Sequence, residues 1–179
     1  MSQTPTALVV CGSRREPSRT RELTRVAAEI ARETGLSVET LDLREYPMAL
    51  FDGRDTEAYD DTTNEAIAEL LGAEIYFIAS PIYFGGISGA LKNLFDHIPY
   101  ERFQERPRAA GLLATGRDDR HRLVVDTQLR ATLVYLGVDV ATTSVFATEA
   151  DFEGFTLRNE AVRPYVETMI EETIALRSN

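Results

Sequence analysis

The chain predicts an α/β protein: a doubly wound, five-stranded parallel sheet in the order 2-1-3-4-5, with helices on both faces. Short apolar runs alternate five times with stretches whose apolar residues recur every three or four positions. Most of those runs lack a polar face, as expected of strands covered on both sides. Right-handed crossovers between parallel strands leave few topologies, and this order is the simplest of them.

The elements follow in order. Residues 7–10 are a short run rich in β-branched side chains, which suits a buried strand. Gly12 breaks it, and a helix begins by Leu23, with Val26, Ala27, Ile30 and Ala31 on one face and Gly35 at its end. Residues 38–43 alternate and read as strand two. Residues 44–61 have no period and contain Pro47 and Gly53; a loop that long is expected to cover a site or an interface. Thr62 or Thr63 is expected to cap a helix carrying Ile67, Leu70 and Leu71. Residues 74–79 are almost wholly apolar and make a central third strand, followed by a turn at 80–86 and a periodic helix over 87–98. Strand four is expected at 109–114, a polar loop at 115–121, and then a helix with Val125, Leu129, Leu133 and Leu136. Residues 138–147 are the fifth strand, and a helix with Val162, Val166, Ile170 and Ile174 closes the chain.

Composition narrows the function. A chain of 179 residues with 44% hydrophobic and 27% charged residues is expected to form one domain over 1–179, with residues 1–6 as a flexible tail. The net charge of −10 argues against a nucleic-acid partner. One cysteine, Cys11, excludes an internal disulfide or a CxxC metal or redox site, and no metal is expected. No apolar run reaches the roughly 18 residues of a membrane span. The start, MSQTPT, lacks the pattern of a signal peptide, so a cytoplasmic protein without a membrane partner is expected.

In a doubly wound sheet, ligands lie beyond the carboxyl ends of the strands, at the switch point between strands one and three. Three loops converge there: 12–20, 81–86 and 115–121. The first carries Ser13, Ser18 and Thr20 with Arg15 and Arg19, set against a dense acidic background. Unpaired N–H groups at a helix N-terminus, hydroxyl donors and fork-shaped guanidiniums suit a phosphate. The plainer alternative is that Ser18 or Thr20 caps the helix and the arginines form a solvated face. Neither GxGxxG nor GxxxxGK(S/T) occurs, which argues against a dinucleotide fold or a P-loop NTPase. The second loop brings Tyr83 and Phe84 beside Gly85 and Gly86, whose backbone lets a flat ligand approach closely. A phosphate tail and a planar ring describe FMN; alternatively, the two aromatics pack under the following helix.

The motifs themselves are specific. GSRREPSRT resembles the GSxRxxSx(N/S/T) phosphate loop of the NADPH-dependent FMN reductase family, and SPIYFGGISGALKNLFD resembles that family's (S/T)PxYxGxxxGxLKNxxD segment. LLATGRDDRH with VVDTQLRATLVYLGV is most similar to family members that supply reduced flavin to two-component monooxygenases. The resemblance implies a flavodoxin-like fold and an NAD(P)H-dependent FMN reductase that passes hydride from NADPH or NADH to FMN. It implies that Ser13, Arg15, Ser18, Arg19 and Thr20 hold the FMN phosphate, and that Pro81, Ile82, Tyr83, Phe84 and Gly85 contact the ribityl chain and ring. Thr115, Gly116 and Arg117 would flank the isoalloxazine. The family often has a second glycine where Arg117 stands, so this third loop is bulkier and more charged.

The same resemblance implies a homodimer or homotetramer, a small-molecule electron acceptor, and a flavin-dependent monooxygenase as partner. An FMN-retaining quinone, azo or metal-oxyanion reductase is the alternative enzyme. A flavodoxin-like electron carrier is the alternative of another class, and Arg15 and Arg19 count against it. No side chain is required as a catalytic acid or base. His121 reads as structural or exposed, His97 as a helix cap and Cys11 as a small buried residue; Lys92 and Asp96 form an i, i+4 pair.

Overall fold

The computed structural model describes residues 6–178. A parallel sheet is built from β1 (Thr6–Cys11), β2 (Ser37–Asp42), β3 (Ile75–Tyr83), β5 (Ala109–Gly116) and β6 (Asp139–Thr148), in the order β2-β1-β3-β5-β6. Counted among parallel strands this is the expected 2-1-3-4-5. The two-residue β4 (Gly86–Ile87) folds back antiparallel on the end of β3. A separate small hairpin of β7 (Phe152–Glu153) and β8 (Thr156–Leu157) follows β6. Of the segment expected as a flexible tail, residues 1–5 lie outside the described residues, while Thr6 already belongs to β1.

Side chains on successive strand residues point to opposite faces, and the two faces have separate cores. Ala7 and Val9 of β1, with Phe77 and Leu113, pack under α1 (Arg19–Glu33) and α6 (Val162–Ser178). Leu8 and Val10, with Tyr76 and Leu112, pack under α2 (Thr63–Gly72), α3 (Gly89–Asp96) and the short α5 (Ala131–Tyr135). A wide helical turn over Val125–Arg130 leads into α5, and it buries Val125 and Leu129. α4 (Tyr100–Phe103) is a single turn before β5. Among the described residues no helix is long and apolar enough to cross a membrane.

Several boundaries differ from expectation, each for a local reason. β3 runs on through Ser80, Pro81 and Ile82, because Ser80 and Pro81 continue the ladder opposite Ala114 and Thr115. The β3–β4 connection is then only Phe84-Gly85, both at positive φ (50° and 75°), as a tight hairpin requires. β5 likewise extends to Gly116, so Thr115 and Gly116 are strand residues rather than loop. At the start of α2 neither threonine caps through its side chain; the Asp61 carboxylate accepts the Thr63 N–H at 2.8 Å instead.

The 44–61 segment packs on the end of α3, and none of its residues lines the cleft described below. Asn93 holds it from both sides, donating to the Ala49 carbonyl at 2.8 Å and accepting the Phe51 N–H at 3.0 Å. His97, the buried C-cap of α3, donates from Nε2 to the same Ala49 carbonyl at 3.0 Å. The lone Cys11 is buried, as expected, and burial pushes its thiol up to about 11, so it is no nucleophile. Lys92 and Asp96 do form their ion pair on α3.

Candidate functional site

Gly12 starts the site. Its N–H donates to the Ala79 carbonyl at 2.8 Å, and a Cβ there would stand 2.9 Å from that oxygen and 3.1 Å from Leu91 Cβ. Only glycine lets β1 leave the sheet so close to β3 and α3. Ser88, the N-cap of α3, locks this crossing. Its hydroxyl donates to the Gly12 carbonyl at 2.7 Å, and its N–H donates to Ser80 Oγ at 3.0 Å.

The 13–18 loop is shaped from within by Arg21. Its guanidinium donates to Asp42 on β2 at 2.5 and 3.2 Å, to the Arg15 carbonyl and Glu16 carboxylate at 3.0 Å each, and to the Ser13 carbonyl at 3.5 Å. Arg21 is therefore scaffold. Ser18 caps α1 by accepting the Arg21 N–H at 3.2 Å, and Ser13 Oγ accepts the Arg15 N–H at 3.3 Å. Both hydroxyls accept from the backbone, which leaves each one O–H to donate outward. The N–H groups of Arg19 and Thr20, in the first turn, have no intrahelical partner by construction. The capping alternative and the anion-site alternative thus hold together: Ser18 caps, and the helix still presents donors.

Thr20 also has a partner across the cleft. Its hydroxyl is buried and shares a 2.6 Å hydrogen bond with Thr115 Oγ1 at the end of β5, so it joins the first loop to the third. Its backbone N–H, in the first turn of α1, is a further donor.

Ser13, Arg15, Ser18, Arg19, Thr20, Pro81, Ile82, Tyr83, Thr115, Gly116 and Arg117 together line one cleft of about 280 Å³ at the switch point between β1 and β3. Phe84 and Gly85 do not line it. They form the hairpin tip, where Phe84 is wholly exposed and Gly85 gives its carbonyl to Gln128 Nε2 at 3.0 Å. Nor does Phe84 pack under the following helix. Pro17, Glu149 and Phe155 complete the lining and were not anticipated. Pro17 lies inside the phosphate-loop motif and was legible in principle. Glu149 and Phe155 arrive from a segment more than a hundred residues away, with no local pattern to mark them.

The cleft carries three arginines and one carboxylate. The Arg15 guanidinium engages no carboxylate among the described residues, whereas Arg19 pairs with Glu149 at 2.7 Å. In the third loop Asp118 accepts from Arg120 at 2.7 and 3.0 Å, which holds its carboxyl down at about 2. His121 is partly buried beneath this loop, its Nδ1 lying where a Gly116 Cβ would come within 3.2 Å. It does not line the cleft.

Glu22 ties the β7–β8 hairpin to α1. It accepts from Arg25 at 2.8 and 3.0 Å and from the Leu157 N–H at 3.3 Å, and those donors lower its pKa. A depressed folded-state pKa means the tie is complete above the ordinary glutamate value, about 4.3, and fails as pH falls through the lower folded value. The Leu157 amide resonance is expected to titrate with a midpoint below that of ordinary glutamate. A midpoint at or above it would show that Glu22 does not hold the hairpin.

Fold and cleft together define a flavodoxin-like α/β protein with a basic, helix-capped loop at its switch point. The chain belongs to the NADPH-dependent FMN reductase family, whose model matches residues 5–153. It is 34% identical over 137 residues to an NAD(P)H-dependent FAD/FMN reductase of Geobacillus thermodenitrificans, covering 76% of this chain and 71% of that one. It is 28% identical to an FMN reductase (NADPH) of Pseudomonas aeruginosa, covering 94% of this chain and 90% of that one. An NADH:FMN oxidoreductase in its apo form shares the fold, with a TM-score of 0.80 at 22% identity over 98% of this chain and 92% of that one.

Proposed function

We propose that this protein reduces FMN with electrons from NADH or NADPH, as a single FMN-binding domain over 1–179. The observation that carries the reading is the donor set at the start of α1. Two first-turn N–H groups, the outward O–H groups of Ser13 and Ser18, and Arg15 and Arg19 all border one cleft. That chemistry suits a phosphate dianion, and the cleft continues along Pro81, Ile82 and Tyr83 toward Thr115, Gly116 and Arg117. In this reading the first group holds the FMN phosphate and the other two border the ribityl chain and ring. Phe84 and Gly85 reach the ring only from the hairpin tip. Bound FMN supplies a ring that accepts hydride from reduced nicotinamide; the chain's own task is to position it and to exclude water. No acid or base side chain is assigned.

The reading extends to a cytoplasmic homo-oligomer that hands reduced flavin to a monooxygenase, the last supported by the likeness of the LLATGRDDRH segment. An apolar groove of about 740 Å³ between α3 and α5, lined by Ile87, Phe95, Tyr135 and Leu136, supports contact with a second copy. Light scattering should give a dimer or tetramer; a monomer at micromolar concentration would remove that part.

The decisive experiment measures NADH and NADPH oxidation by apo-protein with added flavin. Oxidation is expected to depend saturably on FMN and to be much weaker with riboflavin. Equal support by both flavins, or by neither, sinks the reading.

A further inference from the structure

Arg19 is not idle in the cleft. Its Nη2 lies 2.7 Å from Glu149 Oε1, its Nε donates to the Gly154 carbonyl at 3.1 Å, and its guanidinium lies 5.3 Å from the Phe155 ring centroid. Gly154 and Phe155 are the tip of the β7–β8 hairpin, and Glu149 sits in the turn that precedes it. That turn is anchored by Asp151, which accepts the Thr148 N–H at 2.6 Å and the Thr148 hydroxyl at 2.9 Å. The backbone of Glu149 is thus held, while its side chain remains 51% exposed and that of Arg19 31% exposed. An ion pair so open to water is weak and readily exchanged.

We propose that Glu149 is an internal competitor of the FMN phosphate for Arg19, and that it keeps flavin binding exchangeable. The inference rests on the reading that the phosphate sits at the start of α1. A phosphate there takes Arg19 from Glu149 and leaves the carboxylate facing a second anion in the same cleft. Arg15, which pairs with no carboxylate among the described residues, attracts the phosphate; Glu149 limits how firmly it stays. Such a balance suits a protein whose flavin leaves as product rather than remaining as a fixed group. It also gives the β7–β8 hairpin a role, since the hairpin orients Arg19 through Gly154 and Phe155 whichever anion the arginine holds.

The test is Glu149→Gln in the full chain, with FMN and riboflavin titrated by flavin fluorescence and FMN dissociation followed after dilution. Removing the carboxylate that competes for Arg19, and its like charge from the shared cleft, is expected to tighten FMN about ten-fold, mainly through slower dissociation. Riboflavin affinity should not move. Glu149→Ala should tighten FMN similarly, which separates loss of charge from loss of a hydrogen bond. In an Arg19→Ala background, Glu149→Gln should tighten FMN by less than it does in the wild type, because the share of its effect that frees Arg19 is gone and only the like-charge repulsion remains. Unchanged or weaker FMN binding in both variants, while the wild type still prefers FMN to riboflavin, overturns the proposal alone. A wild type that binds the two flavins equally overturns the phosphate reading, and this proposal with it.

Discussion

Replacing Arg108 by alanine is expected to lower the unfolding free energy by about 3–5 kcal/mol, since a charged hydrogen bond contributes about 1.5–3 kcal/mol and several are lost together. Arg108 is only 3% exposed, immediately before β5. Its Nε donates to the Tyr76 hydroxyl at 2.7 Å, and its Nη atoms donate to the carbonyls of Arg106 (3.0 Å), Leu71 (3.2 Å) and Phe103. The guanidinium also lies over the Phe103 ring, 4.2 Å from its centroid. One side chain therefore satisfies the ends of α2 and α4 at the amino end of the sheet. Truncation leaves those acceptors buried without donors. Lysine does not rescue them, because a single ammonium cannot reach divergent carbonyls as a planar fork does. Urea denaturation measures the loss, and a change under about 1 kcal/mol would mean that water replaces the guanidinium. The cleft is at the opposite end of the strands, so flavin affinity of the folded variant should be unaltered.

The second large effect concerns binding. Arg15→Ala is expected to weaken FMN by about 1.5–3 kcal/mol, the scale of one charge-assisted hydrogen bond, and to leave riboflavin unchanged. Arg15 is exposed at the cleft wall and its guanidinium has no hydrogen-bond or ion-pair partner among the described residues, so the substitution removes none of those contacts. Parallel fluorescence titrations of the two flavins measure it. Equal weakening of both would place Arg15 on the ring or on the loop's own conformation rather than on the phosphate. Unchanged stability of the variant is part of the same expectation, in contrast to Arg108→Ala.

Much was legible in the chain before folding. Strand positions and order follow from local apolar runs and from the few crossovers a parallel sheet permits, and both are local or combinatorial properties. The loops at the switch point follow from the same order. Eleven expected contact residues line the observed cleft because motif residues near strand ends have nowhere else to go. The shifted boundaries, at the ends of β3 and β5, come from reading Pro81, Thr115 and Gly116 as loop by local pattern alone. Pro81 stays in β3 because the neighbouring strand continues the ladder, and Phe84 adopts a positive φ because a two-residue hairpin demands it.

Other features exist only once distant segments meet. The Thr20–Thr115 bond, the Ser88 lock on Gly12, and the Glu149–Arg19 pair span 95, 76 and more than a hundred residues. Arg21 and Arg19 look alike in the sequence, two residues apart on one polar stretch. Asp42 on β2 makes the first a scaffold, whereas the second pairs with Glu149 at the cleft. Local pattern records which groups are available at a position. Which partner each group meets depends on where the sheet brings remote carboxylates and carbonyls, and that selection separates an arginine held within its loop from one left at the cleft.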